Sequence, residues 1–152
     1  MSASENTFKP TSSTVTPYGN TGAGKKNEVA MMFNNISSRY DFLNHLLSMG
    51  IDKGWRKKAI NLLKENPPKH LLDIATGTGD FAIAALAVNP DKITGIDISE
   101  GMLEVGRKKM LERKLSDKIE LLYGDSENIA FPDNTFDAAI VAFGVRNFEN
   151  LD

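Results

Sequence analysis

Six residues hold the chemistry this chain can be expected to do. Two glycines, Gly77 and Gly79, interrupt the stretch LLDIATGTGDFAIAAL, where an apolar run passes into a helical pattern. Four aspartates surround them. Asp73 lies four residues before Gly77, and Asp80 follows Gly79 directly. Asp97 comes roughly 20 residues after the glycines, and Asp125 follows Gly124 further on. Glycines at a strand-to-helix turn let backbone approach a ligand closely, and a small residue such as Ala82 lets the helix sit near the strand. A carboxylate at the end of the second strand can accept hydrogen bonds from ribose hydroxyls. Alone, the G-x-G-x-x-A spacing also fits a plain glycine turn.

The charges bear on which nucleoside would bind. No lysine or arginine is expected near the four carboxylates until Arg146. A dinucleotide brings a pyrophosphate of about two negative charges, which Asp73 and Asp80 would repel against the helix dipole. S-adenosylmethionine has no phosphate and carries a net charge near +1, set by a sulfonium, an ammonium and one carboxylate, so an acidic crevice suits it. Its ribose diol suits Asp97 and its adenine amino group suits Asp125. Simpler uses stay open for two residues. Asp73 would serve as a cap on nearby backbone, and Asp80 as a complement to its helix N-terminus.

The elements that must position these residues follow from hydrophobic periodicity. Val29, Met32, Phe33, Ile36, Tyr40, Leu43 and Leu47 recur at spacings of three and four, predicting a helix from Glu28 with Gly50 as its stop. A second helix is expected from about Trp55 to Glu65, closed off by Pro67-Pro68. Strand His70–Ala75, helix Phe81–Val88 and strand Lys92–Asp97 follow. Ser99 caps a helix through about Lys114. Strands Lys118–Tyr123 and Phe136–Phe143 complete the pattern, with the turn FPDNT before the last. LLDIA and AAIVAF are near-continuous apolar runs, as parallel strands buried on both faces are. The fold class is therefore α/β: a Rossmann-like, doubly wound, mostly parallel sheet preceded by two lead-in helices. Such sheets place all strand ends on one edge, where ligands bind. They normally hold more than four strands, so the chain is expected to be part of a longer protein.

Composition narrows the classes. The chain has 152 residues, room for one core, and a net charge of −2, which gives no basic field for nucleic acid. With no cysteine there is no disulfide framework and no thiolate metal site. No apolar run approaches the roughly 20 residues of a membrane helix, and MSASENTFKP lacks the pattern of a secretory signal. Residues 1–24, rich in Ser, Thr, Asn, Gly and Pro, read as a disordered tail ahead of a cofactor-binding part over 25–152. GNTGAGKK in that tail nearly matches a phosphate loop. However, Lys26 stands where a hydroxyl is needed and no strand precedes it. KKNE and RKKMLERK read as solvated helix faces.

Several motifs together resemble one known family. LLDIATGTGDFA resembles motif I of class I methyltransferases, and GIDISEGML the second-strand region after it. YGDSENIAFPDNTFDAAIVAFGVRNF resembles the menaquinone/ubiquinone biosynthesis C-methyltransferases, with FD and a final FG-x-RN. FNNISSRYDFLNHLLSMGIDKGWRKKAI resembles their N-terminal pattern, with Tyr40, Asp41, Asn44, Ser48, Gly50, Trp55 and Arg56 in matching places. The resemblance covers about residues 28–151. It implies a class I methyltransferase fold, cut here after the fourth strand. It also implies S-adenosylmethionine as methyl donor, no metal, and methylation of a ring carbon of a polyprenylated quinol. Demethylmenaquinol is the first expectation and a benzoquinol of ubiquinone biosynthesis the second. Family cofactor contacts fall on Thr78, Asp97, Asp125 and Ser126, and on Ala142, where many members have a hydroxyl that is missing here. Ser126 itself replaces the more usual alanine.

With that chemistry, Arg146 is the candidate for stabilising the developing phenolate, because it stays protonated and follows the fourth strand. Asn147 could hydrogen-bond the same ring substituent. Tyr40 and Asn44 share a helix face expected to close over the cofactor, although Tyr40 equally suits a core position. His45 and His70 are weaker candidates for a proton acceptor. Trp55 and Arg56 are expected to pack and to end a helix. The implied lipid substrate points to a cytoplasmic protein in transient contact with a membrane surface. A homodimer covering the open sheet edge is a further expectation. The chain alone is expected to be catalytically inactive. A nicotinamide-dependent dehydrogenase and a non-catalytic binding module are the competing readings. Asp73 and Asp125 count against the first.

Overall fold

The computed structural model describes residues 24–47 and 51–142; at 25 and over 38–47 and 51–53 the helical backbone alone is described. The order is α1 (Lys25–Leu47), α2 (Ile51–Leu63), β1 (His70–Ile74), α3 (Asp80–Ala85), a 3-10 turn Leu86–Val88, β2 (Lys92–Asp97), α4 (Glu100–Glu112), β3 (Ile119–Tyr123) and β4 (Ala138–Val141). The strands form one parallel sheet in the order β3-β2-β1-β4. The chain leaves β1 to build β2 and β3 on one side and returns to place β4 on the other. The switch point therefore falls at the carboxyl end of β1, where the glycines are. The doubly wound parallel reading holds for the described residues.

Boundaries moved where local hydrogen bonding overrode periodicity. Helix α2 starts four residues earlier than expected, at Ile51. It ends at Leu63, where the Lys64 amide is shared between the Ile60 and Asn61 carbonyls and the last turn tightens. Helix α3 stops at Ala85 and continues only as the 3-10 turn, ended by Asn89 in the left-handed region. Ser99 caps α4 as expected, its hydroxyl accepting from the Met102 amide at 3.3 Å. Lys114 takes a left-handed conformation and Leu115 N–H reaches back to Met110 O, the six-to-one bond of a Schellman end. Strand β4 is shorter than expected, running Ala138–Val141. One Asp137 carboxylate oxygen accepts from the Lys69 and His70 amides at 2.9 and 2.7 Å, pinning the amino ends of β1 and β4 together. Those bonds hold the Asp137 carboxyl below its ordinary pKa.

The core lies where α2, α3 and α4 meet the sheet, built on Ile60, Leu71, Phe81, Ile93, Leu103, Met110, Ile119 and Leu121. Helix α4 comes so near that Gly106 has no space for a side chain. A Cβ there would sit 2.5 Å from Leu121 and 3.0 Å from the Thr78 carbonyl oxygen. Alanine ordinarily stabilises a helix over glycine by about 1 kcal/mol. Here the overpacking dominates, and Gly106→Ala is expected to lower the unfolding free energy by about 1–3 kcal/mol. A urea midpoint that rises or stays put would show that α4 can back away from the loop.

Candidate functional site

The turn from β1 to α3 takes three left-handed residues in a row of five: Ala75 at φ 55°, Gly77 at 58° and Gly79 at 81°. Glycine adopts this region without the Cβ penalty, which is why the motif needs it at two of the three places. Beneath the turn, Asp73 is 1% exposed. Its carboxylate accepts the Thr76 hydroxyl at 2.6 Å and the Ala82 backbone amide. Burial raises its pKa to about 7, against the lowering effects of those bonds and of the Arg56 charge. Asp73 therefore shapes the loop from inside and is partly protonated near neutral pH.

Asp97, at the end of β2, faces the loop. One oxygen accepts Gly77 N–H and the other Ser99 N–H, both at 2.8 Å. Burial pushes its pKa up while these amides oppose the rise. Each carboxylate oxygen has a second lone-pair position. The Ile98 amide also meets this carboxylate, which leaves it able to accept one further hydrogen bond at the mouth of the crevice. Asp125, just past β3, accepts the Glu127 amide on one oxygen and the Lys26 ammonium on the other, at 2.9 and 2.8 Å. Ser126 is half-buried in the same turn. Ala142 directly follows β4 and packs against the core with no hydroxyl to offer. The ends of β1, β2 and β3 thus bring Asp73, Gly77, Gly79, Asp97, Asp125 and Ser126 to one edge. Tyr40 lies on α1, but its side chain falls outside the described residues, as do Arg146 and Asn147.

Three expectations need correction. The first concerns a crevice without nearby cations. Lys109 Nζ lies 2.9 Å from Asp80 and 3.0 Å from the Thr78 hydroxyl. Lys26 pairs with both Asp125 and Glu127, which keeps it protonated well above the usual lysine range. With Asp80 paired and Asp73 partly protonated, repulsion of a pyrophosphate no longer separates the two nucleoside readings. Thr78 is 3% exposed, and its hydroxyl accepts from Lys109 at the back of the loop. The second correction concerns the charge runs. Glu28 of KKNE is 2% exposed, and Arg107 of RKKMLERK donates to the Leu121 carbonyl at 3.0 Å. These faces pack because α1 and α4 contact each other and α4 contacts β3. The third concerns Trp55, expected to pack: it is 67% exposed.

Sequence reasoning missed Asn34, Lys26 and Lys109. Asn34 Oδ1 accepts from Ser99 Oγ at 2.7 Å and from Gly101 N at 2.9 Å, fastening α1 to the start of α4. Its partners lie 65 and 67 residues away, and no local pattern reports such a contact. Among the described residues no group of three or more His, Asp or Glu could hold a metal ion.

A glycine turn at the switch point of a parallel sheet, with carboxylates at the next two strand ends, defines a Rossmann-like nucleoside-binding domain of the class I methyltransferase type. The sequence profile of the ubiE/COQ5 methyltransferase family matches residues 21–152, and the chain belongs to that family. It is 52% identical over 139 residues to a demethylmenaquinone methyltransferase of Bacteroides fragilis, covering 91% of this chain and 56% of that protein. It is 42% identical over 125 residues to the ubiquinone/menaquinone biosynthesis C-methyltransferase UbiE of Geotalea daltonii, covering 81% of this chain and 53% of that protein. The chain thus spans about half the length of the curated relatives it matches. Among solved structures it is similar to an S-adenosylmethionine-dependent methyltransferase of Methanococcus maripaludis, with TM-score 0.66 and 27% identity over 78% of this chain and 53% of that one.

The buried Asp73 predicts a pH signature. Its folded pKa, about 7, stands above an unfolded value of about 3.9. The folded state therefore holds the proton longer, and stability falls as pH rises from about 4 through about 7. The full span is on the order of 4 kcal/mol. Asp73→Asn is expected to remove this slope. Urea titrations of both proteins across that window test it, and parallel pH curves would overturn the assignment.

Proposed function

We propose that the whole protein to which these residues belong uses S-adenosylmethionine to C-methylate a polyprenylated quinol, converting demethylmenaquinol to menaquinol. Asp97 carries the reading. It ties the glycine loop to the next turn through the Gly77, Ile98 and Ser99 amides, and keeps an acceptor position for a ribose hydroxyl. Asp125 with Ser126 lies one strand further along, where an adenine would follow the ribose. The charge of the crevice no longer chooses between this cofactor and a dinucleotide. Family membership favours S-adenosylmethionine, and the names of the relatives favour a quinol.

When bound, S-adenosylmethionine supplies an electrophilic methyl group to a ring carbon made nucleophilic by loss of the neighbouring hydroxyl proton. The protein's part is to orient, to exclude water and to stabilise the phenolate charge. Gly77 and Gly79 let the loop backbone approach the cofactor, and Asp73 with Thr76 fixes the shape of that loop. Arg146 stays protonated at any working pH and stabilises the phenolate, with Asn147 on the same ring substituent. Ala142 offers no hydroxyl, so cofactor recognition rests on the carboxylates. The demethylmenaquinone name of the Bacteroides fragilis relative puts the naphthoquinol ahead of a benzoquinol. The site of action is the cytoplasmic face of a membrane, where the lipid substrate resides. Among the described residues no helix is long and apolar enough to cross one.

Calorimetric titration with S-adenosylmethionine, and with NAD in parallel, tests the reading. Saturable binding of the first alone is expected. Asp97→Ala should weaken it tenfold to a hundredfold, the usual worth of hydrogen bonds to a charged group. Binding of NAD in its place would overturn the proposal.

A further inference from the structure

Asparagine is a poor residue for the interior of a helix, because its side chain competes for nearby backbone groups. Asn34 nevertheless stands well inside the 23-residue α1. Its amide oxygen is used on α4. Asn34 Oδ1 accepts from Ser99 Oγ at 2.7 Å and from Gly101 N at 2.9 Å. A backbone N–H only donates, so the atom facing Gly101 is the oxygen and the amide cannot be turned over. The Ser99 hydroxyl therefore gives its proton to Asn34. Its lone pairs are left for the Met102 amide, 3.3 Å away. Two orphan amides at the start of α4 are met in this way, one by the helix's own cap and one from α1. The two helices are close at this point. A Cβ on Gly101 would lie 3.1 Å from Asn34 Oδ1 and 3.2 Å from Asn34 Cα.

The same first turn of α4 holds the carboxylate at the end of β2. Ser99 is fully buried, and its N–H closes an Asx-turn on Asp97 Oδ1 at 2.8 Å. The other Asp97 oxygen accepts Gly77 N–H from the glycine loop. Met102, also buried, packs against that loop: a Cβ on Gly77 would come within 3.3 Å of its terminal methyl. A shift in the start of α4 would therefore move both Asp97 and the loop it ties. Asn34 joins α1 to the turn on which both depend.

We infer that Asn34 is a positioning residue of the cofactor site: from α1 it fixes the first turn of α4, and through Ser99 it aims the Asp97 carboxylate at a ribose hydroxyl. It acts through Ser99 and needs no contact with the cofactor. The inference rests on the reading of Asp97 as the ribose acceptor and deepens it. Docking of α1 on α4 becomes part of forming the binding site, and the strength of the ribose contact is set in part from a helix that precedes the sheet.

Titration of the whole protein with S-adenosylhomocysteine, and with its 2′-deoxy and 3′-deoxy ribose counterparts, measures what each hydroxyl contributes. The ratio of affinities is the readout. The unaltered protein should prefer the full ribose over one of the deoxy forms by about tenfold, the usual worth of a hydrogen bond to a charged group. Asn34→Ala should cut that preference roughly threefold or more, on the scale of one ordinary hydrogen bond. Asn34→Asp keeps an acceptor oxygen in the same place and should restore it. A purely structural role would weaken all three ligands by one factor and leave the ratio unchanged. Alanine is the better helix former, so α1 itself should survive, and far-UV dichroism checks this. A second measurement needs no ligand: in Asn34→Ala the Ser99 amide should exchange its hydrogen faster, while amides of central β2 keep their protection. No binding, or no hydroxyl preference in the unaltered protein, would overturn the ribose role of Asp97 and this inference with it. A preference that Asn34→Ala leaves intact, or a lost preference that Asn34→Asp does not restore, would overturn the inference alone. The S-adenosylmethionine reading would then stand without it.

Discussion

The loop from Ala75 to Gly79 lies in a slot with almost no spare width, and the site depends on that fit. On one side is β2, where a Cβ on Gly95 would come within 2.7 Å of the Thr76 hydroxyl oxygen. On the other is α4, where Gly106 leaves space for the Thr78 carbonyl. The two glycines of the motif supply the turn, and two glycines outside it supply the room. Close packing then makes the loop rigid, because a protein interior has little free volume into which it could relax. A rigid loop holds its amides in one place for a ligand, which lowers the ordering cost of binding.

The same closeness explains the electrostatics. Asp73 sits under the loop with its charge disfavoured by burial, and two hydrogen bonds hold the proton-sharing carboxyl in position. Asp80 and Asp125, which read as exposed negative charges along the chain, each meet a lysine. The crevice is thus closer to neutral than a count of its carboxylates suggests. Recognition by such a site comes from directed hydrogen bonds at the strand ends more than from a long-range field.

Helix α1 is held at two points across the strand ends. Asn34 joins it to the start of α4 after β2, and Lys26 joins it to the turn after β3. It therefore spans the region where ribose and adenine would lie in the proposed complex. Helix α2 plays a different part. It uses one face for the core and leaves Trp55 and Leu62 outside.

The order of elements, the parallel sheet and the chemical character of the loop were legible in the sequence. Apolar runs, helical spacing and the glycine turn are local, and each constrains only its neighbours in the chain. Strand β2 matched to the residue, and Ser99 capped its helix as its type requires. The family, too, was legible, since its motifs are contiguous strings. What only the tertiary structure decided is which charges meet. Lys26 finds Asp125 across 99 residues, Lys109 finds Asp80 across 29, and Asn34 finds Gly101 across 67. Pairings of that kind depend on how helices pack on the sheet, and side-chain type does not encode it. The exposure of Trp55 belongs to the same class. An aromatic residue on an amphipathic helix is ordinarily taken for core, and only the direction of the packed face shows that this one points away.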